Sequence, residues 1–262
     1  MNIEGFGDVG KGFYNSGYQI YAILLTVSSI GIPTVISKLV AERVSKGDNR
    51  GAYRIFKMSI LMFAGTGFVL SVALFVWAEQ IAIFVLNIPD VQYILMALAP
   101  AITFVAISAV FRGYFAGLGS MKAASISQTL EQFFKCVLTI VIVYSFVGSD
   151  PVTMAVGGNL ATTLAVLISF SYLVVFYKQR RKGILEGIEK QELPEEQEKA
   201  WTLMKSILAI SIPITLGSLV SIMNSAIDTI TISQVVQRTY EGVVATKQEL
   251  ELEAMRLSRN VI

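Results

Sequence analysis

The sequence predicts an all-α fold, a polytopic membrane helix bundle, on three observations. Of its 262 residues 54% are hydrophobic and only 15% charged, against about 25% charged in soluble domains. Apolar runs of about 20 residues follow one another, and that length, at 1.5 Å rise per residue, covers the hydrocarbon core of a bilayer. Lysine and arginine fall in alternate connections, the pattern of a chain that crosses a membrane repeatedly. The mean hydropathy of +0.63 agrees. A membrane β-barrel would instead show alternating segments of roughly ten residues.

Composition also narrows the chemistry. There is no histidine, and Cys136 is the only cysteine. That excludes a disulfide within the chain and any Cys/His zinc site or catalytic dyad. No metal ion, cofactor or nucleic-acid partner is expected. The bilayer itself is the first partner. The N-terminus has no basic region followed by an apolar core, so no cleavable signal peptide is expected.

Residues 1–12 form a polar, glycine-rich lead. Gly5, Gly7 and Gly10 spell G-x-G-x-x-G, and Gly5 to Lys11 spell most of a P-loop. Nucleotide binding needs a strand before such glycines, and Gly12 stands where the P-loop needs serine or threonine. The stretch is therefore read as an entry to a helix.

The first span is expected over Phe13 to Val40, with Tyr14, Tyr18 and Tyr21 as an aromatic belt at one end and Pro33 as a kink. Lys38, Arg43, Lys46, Arg50, Arg54 and Lys57 crowd the next connection, which places it in the cytoplasm by the positive-inside rule. The second span, Phe56 to Ala78, carries Gly65 and Gly67 for close helix contact. Glu79 to Gln92 lacks lysine and arginine and belongs outside, with the apolar Ile81 to Leu86 along the interface. Pro89-Asp90 opens the third span, Val91 to Phe111, which holds Pro100 as a second expected kink. Arg112 and Lys122 then mark a cytoplasmic connection around the G-x-x-x-G pair Gly113 and Gly117. Arg112 either snorkels to lipid headgroups or holds an anionic group near the cytoplasmic mouth.

Ala123 to Val147 is the fourth span and organises the chain. Ser125, Gln128, Gln132, Lys135 and Thr139 recur at spacings of three and four, so they share one face. Glu131 stands four residues before Lys135. A charge near the bilayer centre costs roughly 2.5–3.5 kcal/mol on insertion scales. That face must therefore meet protein or water. It is either a structural Glu131–Lys135 bridge that glues helices or a polar pathway through a transporter.

The turn Gly148 to Pro151 lacks basic residues, and the fifth span runs from Val152 to Phe176. Lys178, Arg180, Arg181 and Lys182 return the chain to the cytoplasm, and Glu186 to Lys199 reads as a solvated linker of helical character. A sixth span, Leu203 to Val235, carries a second polar stripe of Ser211, Thr215, Ser218, Ser221, Ser225 and Asp228. The tail that follows mixes both charges, and its side of the membrane is left open.

Three patches share a pattern with a known family. They are Gly31-Ile32-Pro33 through Ser37-Lys38-Leu39-Val40-Ala41-Glu42 with Lys46-Gly47-Asp48; Phe111-Arg112-Gly113-Tyr114-Phe115 with Gln128 and Glu131-Gln132; and Ile212-Pro213-Ile214 through Ile227-Asp228-Thr229. Over about residues 10 to 235 the chain resembles the polysaccharide biosynthesis and stage V sporulation protein B branch of the MATE-like exporter superfamily. The resemblance implies two lobes around a cavity that opens alternately to each side of a bacterial cytoplasmic membrane, and a large amphiphilic cargo, typically an undecaprenyl-linked sugar. The chain aligns with family helices two to seven, an incomplete MATE-like flippase fold, so the remaining helices are expected as a further partner from the rest of the frame. On that alignment residues 1–12 are the polar lead and 13–177 five helices of the N-terminal lobe. Residues 178–202 are a cytoplasmic linker, 203–235 the first helix of the C-terminal lobe and 236–262 a charged tail.

The expected activity is flipping or export of lipid-linked oligosaccharides by alternating access. Arg112 and Lys135 are the expected diphosphate contacts, with Lys38 near the cytoplasmic mouth and Gln128 beside them. Glu131 pairs with Lys135 or accepts an ion, and Asp228 is a second ionic switch. Two alternatives stand beside it: a cation-coupled multidrug exporter of the same fold, and a truncated remnant that does not transport. A membrane-embedded enzyme is not expected, because no large loop carries paired carboxylates and no metal cluster is present in the sequence.

Overall fold

The computed structural model describes residues 7–29, 31–189 and 201–214, with single positions between 216 and 256. Its helices are α1 (Gly7–Ser29), α2 (Ile32–Ser45), α3 (Asn49–Val76), the short α4 (Ala78–Gln80), α5 (Val91–Gly117), α6 (Met121–Ser145) and α7 (Pro151–Glu189). A further helix, α8, covers Trp201–Ile214. No strand occurs among the described residues. Four of these helices, α3, α5, α6 and α7, are long and apolar enough to cross a membrane.

The expected first span is not one helix. It breaks between α1 and α2, and Pro33 lies in the first turn of α2 behind the N-cap Gly31. A proline there forfeits no hydrogen bond, because the first amides of a helix lack intrahelical acceptors. Pro33 therefore starts a helix where a kink was expected. Residues 7–12 already belong to α1, so Gly7 and Gly10 of the glycine motif lie in a helix and not in a turn. The apolar Ile81–Leu86 forms a π-helical turn whose Ala82 and Leu86 are buried while Ile83 and Phe84 face outward.

Helix α5 is the pole of the bundle. It packs against α1, α2, α3, α6 and α7, and 67% of its most apolar stretch is buried, against 11% for α6. A helix that is hydrophobic all round belongs in the middle. Pro100 interrupts its hydrogen-bond ladder without ending it. The missing Pro100 amide deprives the Met96 carbonyl of its helical donor; one residue on, the Ala97 carbonyl accepts the Thr163 hydroxyl at 2.6 Å. A hydroxyl from a neighbouring helix beside a proline is one of the adjustments by which membrane helices tolerate it.

The helices enclose two cores. One joins Tyr21 of α1, Ile94, Leu95 and Leu98 of α5, Val143 of α6 and Met154 of α7. The other joins Ile36 and Val40 of α2, Phe56 of α3, Tyr114 and Phe115 of α5, Leu173 of α7, and Leu203 and Ile207 of α8. The second lies at the basic end. There the Tyr53 and Tyr177 hydroxyls meet at 2.9 Å, and Phe176 stands edge-on to Phe115. The α2–α3 connection, the α5–α6 turn and the basic stretch of α7 thus share one end of the bundle, as the alternation of lysine and arginine requires. Helix α7 continues for 39 residues in all, about 58 Å at 1.5 Å per residue. It therefore overshoots a hydrocarbon core of about 30 Å and carries Lys178–Lys182 beyond it.

Gly113 and Gly117 set the α2–α5 distance. A methyl group at Gly113 would lie 2.8 Å from the Pro33 carbonyl oxygen, and one at Gly117 2.7 Å from Val40 Cβ. Gly67 likewise meets Ala106, whereas Gly65 faces open space and makes no helix contact. Gly113→Ala and Gly117→Ala should each destabilise by about 1–3 kcal/mol, the usual cost of overpacking. Gly65→Ala should be neutral or stabilising, because alanine is the better helix former. Thermal unfolding of the detergent-solubilised variants checks this.

Outside the membrane, Asp150 accepts the Thr153 hydroxyl at 2.7 Å and the Thr153 amide at 3.1 Å. These bonds hold its carboxyl below the usual carboxylate range. A depressed pKa stabilises the fold above the unfolded value of about 3.9 and loses that contribution as pH falls through the folded value. Asp150→Ala should therefore lower the thermal midpoint at neutral pH, with the difference from the parent vanishing in acid.

Candidate functional site: a cationic cavity between four helices

A cavity of about 720 Å³ opens between α1, α2, α5 and α6. Leu25 lines it from α1, and Pro33, Ser37 and Lys38 from α2. Ala109, Arg112 and Ala116 line it from α5, and Met121, Gln128 and Glu131 from α6. Four of the residues expected to bind substrate, Lys38, Arg112, Gln128 and Glu131, therefore share one cavity. They come from three different helices, so only tertiary packing brings Lys38 and Arg112 to the face of α6 that carries Gln128 and Glu131.

Arg112 is its fixed point. Its Nε donates to Ser127 Oγ at 2.9 Å. Its Nη2 donates to Glu131 Oε2 at 2.5 Å and to Ser169 Oγ at 3.0 Å. Ser169 in turn donates to the Ser127 carbonyl at 2.9 Å. The Arg112 and Glu131 side chains are only 11% and 19% exposed, so Arg112 does not snorkel to headgroups. Glu131 pairs with Arg112 across two helices, which corrects the expected pairing with Lys135 along one helix. An i,i+4 pair is worth about 0.3–0.5 kcal/mol, whereas a guanidinium drawn out of solvent requires a counter-charge.

Lys135 turns elsewhere. Its Nζ donates to the Tyr18 hydroxyl at 3.1 Å and lies 4.2 Å from the centre of the Tyr18 ring. It does not line the cavity. Tyr18 stacks on Tyr14 and tilts against Tyr21. These rings face inward, Tyr18 onto α6, Tyr14 onto Gly158 of α7 and Tyr21 into the core, whereas an outer aromatic belt was expected. One turn further, Thr139 reaches the Gly158 carbonyl at 3.4 Å. The polar stripe of α6 thus runs from the open cavity to a closed contact with α1 and α7.

Lys38 and Gln128 are exposed to the cavity space. Beyond Lys38, outside the membrane, the Lys46 ammonium bonded to Glu42 at 2.8 Å holds that carboxyl below its usual range. Asp228 and the polar stripe after Ser211 lie outside the described residues.

Sequence reasoning missed Ser127 and Ser169. Ser127, Glu131 and Lys135 do recur every fourth residue, a signal masked by the broader stripe through Ser125 and Gln132. Ser169 lies in an apolar stretch of α7 beside Ser171, and nothing in the sequence singles it out. Double-mutant cycles on thermal or denaturant stability should find Arg112→Gln and Glu131→Gln coupled by about 1 kcal/mol or more. Glu131→Gln and Lys135→Gln should add within about 0.5 kcal/mol.

With this geometry, comparison with known proteins gives consistent matches. The family model described as "Polysaccharide biosynthesis protein" matches residues 4–243. Stage V sporulation protein B of Bacillus subtilis (strain 168) is 28% identical over 252 residues, 94% of this chain and 47% of that protein. Lipid II flippase MurJ of the same strain is 29% identical over 193 residues, 68% of this chain and 35% of that protein. The chain therefore spans about half, or less, of the length of these relatives. A solved multidrug resistance MATE family transporter of the MOP superfamily, in an inward-facing conformation, superposes with a TM-score of 0.66 at 14% identity. That alignment covers 98% of this chain and 57% of the transporter. At such identity the likeness shows the fold, a MATE-like membrane helix bundle.

Proposed function

The chain belongs to the polysaccharide biosynthesis protein family, and on that premise we propose that it works in a transporter that flips or exports lipid-linked oligosaccharides by alternating access. The observation that carries this reading is the cavity built on Arg112, whose titratable lining is Lys38, Arg112 and Glu131. One net positive charge suits an anionic cargo. An undecaprenyl-diphosphate sugar presents its diphosphate to Arg112 and Lys38 while the polyprenyl chain stays in lipid. Gln128 offers both a donor and acceptors to the sugar.

Glu131 is the resting counter-ion of Arg112. The cargo diphosphate replaces it on the guanidinium, and the Ser127 and Ser169 hydroxyls keep that guanidinium in place during the exchange. Lys135 meets the diphosphate only after its contact with Tyr18 opens, as the cavity passes to the other side. Asp228 is a second ionic position in this scheme. The membrane is the bacterial cytoplasmic membrane, with the basic end of the bundle inside. The relatives compared above include a protein named as a lipid II flippase, which supports transport of a lipid-linked precursor. Export of an organic cation, the alternative, would need Glu131 free for the cargo, and Arg112 already occupies it.

Proteoliposomes with a fluorescent polyprenyl-diphosphate sugar test the reading. This chain should be assayed by itself and completed to the length of its relatives. Flipping is expected, and Arg112→Gln should slow it about tenfold or more, the worth of a charge-assisted hydrogen bond. Ser127→Ala and Ser169→Ala should weaken cargo affinity, and Glu131→Gln should strengthen it. Transport of a small organic cation without flipping would replace this reading by drug export. No transport by either form would leave the chain a non-transporting member of the family.

A further inference from the structure

A second cavity, of about 280 Å³, lies on the other side of the α5–α6 turn and shares no lining residue with the first. Its walls are Phe115 and Leu118 from the end of α5 and Phe176 and Ile184 from α7; Ser120, Gly183 and Arg180 complete it. The rings of Phe115 and Phe176 meet edge to face, 4.9 Å between centres. The Arg180 guanidinium stands 5.5 Å over the Phe176 ring. Among the described residues no carboxylate pairs with Arg180.

The surroundings are cationic. Lys122 on α6 and Lys178, Arg181 and Lys182 on α7 are exposed around the turn, and the α7 acids Glu186 and Glu189 stand further along the helix. The cavity also sits at a definite depth. Val175 is an exposed apolar residue, and the basic run begins three residues later. Arg180 therefore stands where α7 leaves the hydrocarbon core, at headgroup level.

We propose that this cavity binds an anionic phospholipid of the leaflet at the basic end, with Arg180 and Ser120 on the headgroup phosphate and the start of an acyl chain along Leu118, Phe176 and Ile184. Apolar walls with a single cation at the rim match an amphiphile, where a free soluble anion would leave the aromatic walls wetted to no gain. The volume is below the roughly 300 Å³ at which drug-sized pockets begin and suits a glycerophosphate headgroup better than an oligosaccharide. The inner leaflet of a cell membrane carries the anionic lipids such a cation attracts. A lipid here would brace the α5–α6 turn against α7, directly beside the helix ends that carry Arg112 and Gln128. The site is independent of the cargo assignment and stands whether or not the chain flips oligosaccharides.

Native mass spectrometry of the purified full chain tests the site, titrating phosphatidylglycerol, phosphatidylcholine and soluble glycerol phosphate. One phosphatidylglycerol should be retained at about tenfold lower concentration than phosphatidylcholine, whose choline ammonium offsets the phosphate charge that Arg180 and its basic neighbours attract. Arg180→Gln should abolish that preference. Gly183→Leu should abolish it as well, by filling the cavity: a side chain at Gly183 meets nothing within 4 Å, so this variant keeps the fold. Lys182→Gln makes the same charge change outside the cavity and should keep the preference. Equal retention of the two lipids, or an equal loss in Lys182→Gln and Arg180→Gln, would overturn the site in favour of a diffuse surface field. Binding of glycerol phosphate as tight as that of the lipid would make it a site for a free phosphate ester and overturn the lipid assignment.

Discussion

The close approach of α5 to α2 at Gly113 and Gly117 governs where every polar group of the bundle can go. With no room for even a methyl group between Gly113 and the Pro33 backbone, this face of α5 is fixed against α2. Arg112 is the neighbouring residue, about 100° further round the helix, and so projects toward α6 and α7. A cation at that depth costs several kilocalories per mole in lipid. It is held there because two serine hydroxyls and a carboxylate meet it from two other helices. The glycine contact and the arginine network are therefore consecutive consequences of one packing decision, and a change at either reaches the other through α5.

Helix α6 obeys a different constraint. It is the least buried of the four spanning helices, yet Ser125, Gln128, Thr129 and Gln132 on it are exposed. Amide side chains have no hydrogen-bond partners in hydrocarbon, so this surface cannot face lipid along its whole length. Gln128 meets its requirement by lining the cavity. The opposite side, with Phe133, Val137, Ile140 and Val141 exposed, suits lipid. The helix thus forms a wall, wet on one side and apolar on the other. That explains how it can be both a membrane span and the organiser of the site.

Much of this was legible in the sequence, for reasons that also mark where legibility ends. The spans α3, α5, α6 and α7 are long apolar runs that no soluble fold accommodates, and their ends follow the basic residues. The α1–α2 break was misread because a proline inside an apolar run looks the same whether it bends one helix or starts the next. What distinguishes them is the interruption of the helix at Gly31, ahead of Ile32. Gly65 and Gly67 were equally good packing candidates, yet only Gly67 faces α5. The candidate site shows the same limit. Lys38, Arg112, Gln128 and Glu131 could be chosen by charge and periodicity, but the partner of Glu131 could not. A neighbour along the helix and a neighbour across the bundle compete, and the winner depends on which cation is withdrawn from water.

The contacts at the two ends of the polar stripe differ in strength, and that difference assigns their roles. At the closed end α1 and α6 are joined by a lysine over a tyrosine ring with one hydrogen bond, and α6 and α7 by a hydroxyl 3.4 Å from a carbonyl. Contacts of this kind are worth about 0.5–2 kcal/mol each and can be exchanged for water or a cargo anion at little cost. The α2–α5 contact is backbone against backbone and admits nothing between. Helix α1 ends at Ser29 and α2 begins at Ile32, so the two segments are not obliged to move as one rod. If the cavity is to open toward the other side, the physics favours parting α1 from α6 at Tyr18 and Lys135 while α2 and α5 remain together. That parting would release Lys135 from Tyr18. A lysine that lines no cavity in this conformation can thus still serve the alternating access proposed above.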